Sequence, residues 1–209
     1  MFNVGVNLYY TLLDKFITRA PFDITANTEG HSTIDYDGET GLAVVANVNK
    51  GSAFVKGGTL SFQGDINQNW FTRGGATYTY GRTYVSRDPL SSIPPLFCDF
   101  SLGYRAGKFE SIFKYEYSDA KSADEYNIYE GIDNIEETPI VDSSATNPLE
   151  KYAGTPSWQT FNLSLLYDVN SNMNVHLRVQ NLLDSHYKEF ASGLSAAGRN
   201  FSASVRYLF

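Results

Sequence analysis

The sequence predicts an all-β protein, an antiparallel transmembrane β-barrel segment of about eight strands. Apolar and polar residues alternate with a period of two in several separate runs, as expected of strands with one face in lipid and the other in water. No stretch approaches the roughly eighteen continuous apolar residues a membrane helix needs. A spanning chain of this composition must therefore be a barrel, the other structure that satisfies its backbone in hydrocarbon. Finally, 15 Tyr and 14 Phe stand beside 2 Met and 1 Cys, an aromatic excess suited to the two bilayer interfaces.

The strands are expected at about 2–19, 41–66, 69–84, 96–106, 108–119, 157–169, 173–187 and 199–209. The first begins at once: Met1 to Asn7 already alternates and has no basic n-region, apolar h-region or small-residue cleavage site, so it is not a secretory signal. The second is overlong and interrupted at Asn49-Lys50-Gly51-Ser52, either a bulge or a turn that would raise the strand count to nine or more. In the fourth, Cys98 is in phase with Leu96, Phe100 and Leu102 and serves as a small apolar side chain. In the fifth, Phe109, Phe113, Tyr115 and Tyr117 oppose Glu110, Lys114 and Glu116, with Ser111 and Ile112 out of pattern.

The sixth strand sets Phe161, Leu163, Leu165, Tyr167 and Val169 against Asn162, Ser164 and Asp168, with Leu166 impure. The seventh sets Met173, Val175, Leu177 and Val179 against Asn174, His176, Arg178 and Gln180. The eighth places Phe201, Ala203, Val205, Tyr207 and Phe209 on one face and Asn200, Ser202, Ser204, Arg206 and Leu208 on the other, ending on an aromatic without a polar tail. Connections alternate between short turns, at 67–69, 106–108 and 170–172, and long ones, at about 21–40, 85–95, 120–156 and 188–198. Short periplasmic turns and long extracellular loops are the outer-membrane pattern.

The net charge of −7 offers no basic stripe for phosphates, which excludes a nucleic-acid partner. The longest loop carries Asp124, Glu125, Glu130, Asp133, Glu136, Glu137 and Asp142 without the spacing or central glycine of a calcium loop, and is expected to be a solvated acidic surface. His31, His176 and His186 are the only histidines; none shares a metal-ligand spacing, and no Ser or Asp is expected beside one as a triad requires. Catalysis is therefore not expected, and no cofactor is implied.

The run Asn181-Leu182-Leu183-Asp184-Ser185-His186-Tyr187, followed by Ser192-Gly193, Gly198-Arg199-Asn200-Phe201 and a terminal Phe209, resembles the last hairpin of TonB-dependent outer-membrane receptors. Asp88-Pro89-Leu90, Ile93-Pro94-Pro95 and Gly154-Thr155-Pro156-Ser157-Trp158 extend the likeness, while Thr59 stands where the family often has a glutamate. The resemblance implies that the chain, 1–209, is the last eight strands of a 22-stranded barrel filled by an N-terminal plug, with the plug and signal outside it. It further implies TonB-dependent active uptake of a scarce nutrient, such as an iron–siderophore complex, across the bacterial outer membrane. The implied partners are outer-membrane lipid, the barrel assembly machinery, the plug and remaining barrel, the TonB energy-coupling system acting through the plug, and the iron complex or another small ligand.

By that resemblance, Arg73, Glu110, Lys114, Glu116, Asp168, Arg178 and Arg206 would face the lumen or plug. Tyr84, Arg87, Asp88, Trp158, His186 and Tyr187 would be ligand-facing loop residues, and Tyr207 and Phe209 would form the assembly signal. The competing readings are a free-standing eight-stranded structural or adhesion barrel, and a soluble β-sandwich.

Overall fold

The computed structural model describes residues 1–209 and is built on one eight-stranded antiparallel sheet. Its strands are β1 (Phe2–Leu13), β2 (Ala53–Asp65), β3 (Trp70–Thr83), β4 (Phe97–Ala106), β5 (Phe109–Ser118), β6 (Trp158–Asn170), β7 (Met173–Gln180) and β8 (Asn200–Tyr207). Each pairs only with its neighbours in sequence, and β1 and β8 do not pair with each other. The sheet is therefore open, which disfavours the free-standing closed barrel.

Register makes the faces unambiguous, because directly opposed residues share a face. Phe201, Val179 and Leu163 lie in one row, as do Tyr115, Phe100 and Gly74. Even numbers form the apolar face on β1 to β4, and odd numbers form it on β5 to β8. Ile112 and Leu166 lie on the polar face and Ser111 on the apolar one, as their positions in the alternation require. The apolar face is uncovered: Leu8 is 79% exposed and Phe201 71%. A soluble sandwich would bury such a surface under a second sheet, and none packs there.

The short turns follow from asparagine. Asn67 Oδ1 accepts the N–H groups of Asn69 and Trp70, each at 2.9 Å, and Asn170 Oδ1 accepts that of Asn172 at 2.9 Å, side-chain mimics of a turn. Gly107 supplies the left-handed position between β4 and β5 at φ 56°. At the opposite end the expected strands 2–19 and 41–66 are both broken by one shared bend. Lys15 (φ 52°) and Gly51 (φ 76°) turn left-handed there, while Phe16 and Lys50 keep pairing across it. Beyond the bend Ile17–Asp23 pairs with Val45–Asn49 in a separate small sheet. The interruption at Asn49 to Ser52 is thus a bend in a continuing hairpin, and the large sheet keeps eight strands.

The expected strand 173–187 stops at Gln180 because Asn181 is left-handed, at φ 51°. Asn181 is buried, and its side chain accepts from Ser185 N–H at 2.9 Å and donates to Ser185 O at 2.8 Å and Ala197 O at 3.2 Å. Asp184 Oδ1 accepts the Arg199 N–H at 2.6 Å, and Arg199 Nε donates to Leu182 O at 2.9 Å. A Cβ on Gly198 would lie 2.7 Å from Asp184 Oδ1, so the Gly-Arg pair is set by this clamp. At the other end, the Tyr207 and Phe209 rings meet edge-on at 5.1 Å just past β8.

Asn181→Ala removes three hydrogen bonds that close the turn on the half-buried Ser185 and the exposed Ala197, and is expected to cost about 1–3 kcal/mol locally. Faster amide exchange at Ser185 and along 182–197 in the bilayer-embedded protein, with β1 to β5 unchanged, is the outcome that checks this.

Candidate functional site

On the polar face, a trough of about 530 Å3 runs along β3, β5, β6 and β7, lined by Arg73, Glu110, Lys114, Glu116, Asn162, Ser164, His176 and Arg178 among others. Alternation places the side chains of β5, β6 and β7 together because these strands are adjacent and in register, and Arg73 joins them from β3, one strand beyond β4. Lys114 Nζ donates to Glu116 Oε1 at 2.7 Å, and Asn162 Nδ2 donates to Glu116 Oε2 at 2.8 Å. Asn162 Oδ1 accepts the Asn181 N–H at 2.9 Å, which ties the trough to the turn above it. Asp168 and Arg206 share the polar rows, opposite Asn174, but lie outside the trough toward the short-turn end.

One expectation is corrected here. Ser164 Oγ lies 2.7 Å from His176 Nε2, and Ser195 Oγ 3.0 Å from His186 Nε2, so serines do stand beside two histidines. The first contact is a diagonal cross-strand neighbour, invisible in linear spacing. Arg178 Nε also donates to His176 Nε2 at 3.0 Å. That nitrogen already accepts the guanidinium hydrogen, and no carboxylate is bonded to the ring, so the trio lacks the orientation of a catalytic triad.

At the long-loop end, Trp158 continues the polar row of Thr160 and Asn162. Its ring stacks on Tyr187 at 4.4 Å and packs against Phe97 at 6.1 Å, and its indole Nε1 is buried without a partner. Trp158 is thus on the polar side of the rim and not in an outer aromatic belt. His186 and Tyr187 line an adjoining pocket of about 290 Å3 with Asn134, Glu137, Thr138, Thr155 and Lys188. Lys188 Nζ donates to Glu137 Oε2 at 2.9 Å across that pocket. Burial, reinforced by Glu189 and Glu116, raises the Tyr187 hydroxyl above its ordinary pKa, which keeps it a hydrogen-bond donor.

The other loop candidates lie elsewhere. Asp88 accepts the Ser86 hydroxyl at 2.5 Å and lines a separate cavity of about 460 Å3 with Thr18, His31, Lys50 and Tyr126. Tyr84 and Arg87 sit by Phe54, a residue of the apolar row. The structure therefore joins Trp158, His186 and Tyr187 and separates them from Tyr84, Arg87 and Asp88.

Of the seven loop acids, Asp124, Glu136, Glu137 and Asp142 are solvated as expected, Glu125 and Glu130 are half-buried and Asp133 is buried, because the loops pack on one another. Ala123, Tyr126 and Ile135 form a small core with Ile128, Tyr152 and Phe190, and the Tyr126 and Thr155 hydroxyls meet at 2.6 Å. Glu130 accepts the Thr18 hydroxyl and the Arg19 N–H, which brings the first long loop onto the third. Buried Lys121 donates to Ile93 O and lies over the Phe190 ring at 4.5 Å. Asp133, only 3% exposed, accepts the Ser92 N–H at 2.8 Å, and its Oδ2 has no partner. Sequence reasoning missed Lys121, Tyr126 and Asp133, since nothing in an irregular loop marks which charge will be covered.

Burial raises the Asp133 pKa despite the Ser92 N–H and the Lys121 charge, and burial lowers that of Lys121 despite Asp133 and Glu125. Between the ordinary and the raised carboxylate values, the native loops bind more protons than the unfolded chain. Stability of the cluster should therefore fall as pH rises through that interval. Lys121 acts oppositely in the alkaline range, where stability should rise with pH between its lowered and ordinary values. Protease protection of 119–137 measured against pH should show the acidic slope, and Asp133→Asn should abolish it.

The chain matches the family model described as TonB dependent receptor-like, beta-barrel, over residues 1–182. Among solved structures it is similar to the copper transporter OprC, with TM-score 0.68 and 18% identity, covering 100% of this chain and 29% of that one. The siderophore receptor PirA from Acinetobacter baumannii gives 0.67 and 17%, covering 100% and 30%. The ferripyoverdine receptor of Pseudomonas aeruginosa gives 0.63 and 15%, covering 99% and 25%. At these identities the structures speak to the fold, and the chain spans between a quarter and a third of the proteins it matches. No curated protein matches it. The alternating eight-strand sheet, its uncovered apolar face and the match over most of its length lead to one conclusion: this chain belongs to the TonB-dependent receptor family and forms part of its outer-membrane β-barrel.

Proposed function

We propose that this chain supplies the C-terminal wall and extracellular loops of a receptor that takes up a scarce nutrient, an iron–siderophore complex, by TonB-dependent active transport. The observation that carries the reading is the placing of the loop pocket at His186 and Tyr187 beside the Trp158–Tyr187 stack, whose Trp158 heads the polar row that runs through Thr160 and Asn162 into the charged trough. In this reading the pocket and stacked rings hold the complex at the cell surface. Flat rings give a large contact area with little side-chain ordering cost, and the raised Tyr187 hydroxyl and Lys188 offer donors to an anionic chelate.

Below them, Arg73, Glu110, Lys114, Glu116 and Arg178 face the plug or lumen water. Their partly paired charges suit a polar surface that must release as well as bind. Asp168 and Arg206 continue that wall toward the periplasm, and Tyr207 and Phe209 present the signal to the assembly machinery. The chain's role is then that of a wall and a loop platform, with the plug and coupling system supplying movement. It is a transport role, not an enzymatic one. The ligands named for the similar structures, copper, ferripyoverdine and siderophores, support a metal-complex cargo.

Uptake of a radio-iron-loaded catecholate siderophore by cells carrying the whole receptor tests the reading. Uptake should require the inner-membrane coupling protein, and equal uptake without it would sink the active-transport assignment. Tyr187→Ala should weaken surface binding of that probe by roughly tenfold or more, as truncation of a central aromatic contact does, while leaving the amount of folded receptor in the membrane unchanged.

A further inference from the structure

The apolar face of the large sheet carries no Asp or Glu on any strand, and only two charged residues, Lys56 and Arg82. The two belong to adjacent strands and share one ring: Lys56 Nζ is 5.3 Å and the Arg82 guanidinium 5.5 Å from the centroid of Tyr80. Arg87, from the loop after β3, completes the group, lying 5.4 Å from the Phe54 ring and 5.7 Å from that of Tyr84. Phe54 connects the parts, stacked on Tyr10 at 5.8 Å and near Tyr80 at 6.0 Å.

None of the three cations forms an ion pair, although the chain contains four elsewhere. Two acids at this rim are turned to other work, and although Asp119 and Glu125 line a cavity with Arg82, neither pairs with it. Asp88 accepts from Ser86, whose hydroxyl meets the polar-face residue Thr83, and Asp119 at the rim accepts the Tyr117 hydroxyl and the Ala120 N–H. A cation on a hydrocarbon-facing surface is costly unless it reaches an interface or an anion. All three lie at the long-loop end. Immediately below them on the same face are Gly58, Leu60 and Phe62, with Leu8, Val6 and Val4 opposite, so the group marks the upper border of the apolar band.

Whatever neutralises these charges must therefore present an anion at that border and have apolar chains alongside the rows beneath. We propose that Lys56, Arg82 and Arg87, on their platform of Tyr10, Phe54, Tyr80 and Tyr84, bind the phosphate of a lipid headgroup in the outer leaflet. The cations meet the phosphate oxygens, the rings flank the headgroup, and the acyl chains lie along Leu8, Leu60 and Phe62. The site faces away from the transported ligand, and it explains why Tyr84 and Arg87 part company with Trp158 and Tyr187.

The test uses the whole receptor, reconstituted in phosphatidylcholine vesicles doped with bis-phosphorylated lipid A or its enzymatically dephosphorylated form. Lipid that remains bound after detergent extraction is then counted by native mass spectrometry. Wild type should retain the phosphorylated form selectively. The Lys56→Gln/Arg82→Gln/Arg87→Gln variant should lose that retention by roughly a hundredfold, each interfacial cation being worth about a factor of five. Lys108→Gln, which removes a cation at the opposite end, should retain it.

Equal retention of the two lipid forms by wild type overturns the proposal and needs no variant to fold. A triple variant that keeps its heat-modifiable barrel mobility and still holds the phosphorylated lipid overturns it as well. Inorganic phosphate added during extraction separates the sources. Protection of the same three residues from chemical modification by phosphate alone, without lipid, would mark a free-anion site and overturn the lipid assignment.

Discussion

Backbone hydrogen bonding inside hydrocarbon is the constraint from which the rest follows. A peptide group there has no water to fall back on, so each N–H and C=O of a spanning strand needs a partner on the next strand. Of 109 backbone hydrogen bonds, 81 lie within the regular elements, overwhelmingly the ladders of the large sheet. Once the ladders fix the register, side chains have no choice of face, and a single-residue slip would move every charge of the polar face onto the apolar one. The arrangement of Lys114, Glu116, Asn162 and Arg178 in one trough is a by-product of pairing that the lipid enforces.

At the long-loop end this constraint relaxes, and a different one replaces it. Here water is available, the ladders stop, and the chain is held by side chains reaching across loops: Glu130 to Thr18 and Arg19, Asp133 to Ser92, Lys121 to Ile93, Lys188 to Glu137. Only 20 of 209 residues are buried, and several of them belong to this loop cluster. The protein is inside out in its sheet and conventional in its loops, with a small core of its own. That division suits a receptor whose wall must stay fixed while its surface is shaped for a ligand.

Much of the wall was legible in the sequence. Period-two runs gave eight strands and their faces, and even Ser111, Ile112 and Leu166 obeyed the alternation against their chemistry. Boundaries failed where left-handed residues intervene at Lys15 and Asn181, since a non-glycine at positive φ leaves no mark in a hydropathy pattern, while the interruption at Gly51 was visible but not that it bends a continuing hairpin. The family-like hairpin was readable as a motif, but its cause, the clamp of Asp184 on Arg199 around Gly198, required coordinates. The loop candidates separated for the same reason. Tyr84 follows β3 in phase with its apolar row, and parity alone could have placed it there, whereas odd-numbered Arg87 is carried to that face by the loop, where it turns left-handed at φ 60°. Lys56 and Arg82 were equally open to parity, as the charges that interrupt otherwise apolar rows.

Strict pairing between sequence neighbours has a consequence for how such a wall can change over evolutionary time. Because no strand of the large sheet pairs with any but the one before and the one after it, two strands and their short turn form a self-contained module. Duplicating or deleting such a module leaves every other ladder in register and every other face correctly oriented. Losing a single strand would instead reverse the direction of all that follow and exchange turns with loops. The girth of the barrel can therefore grow or shrink only in steps of a hairpin, and each step carries its own long loop to the cell surface as raw material for a new specificity.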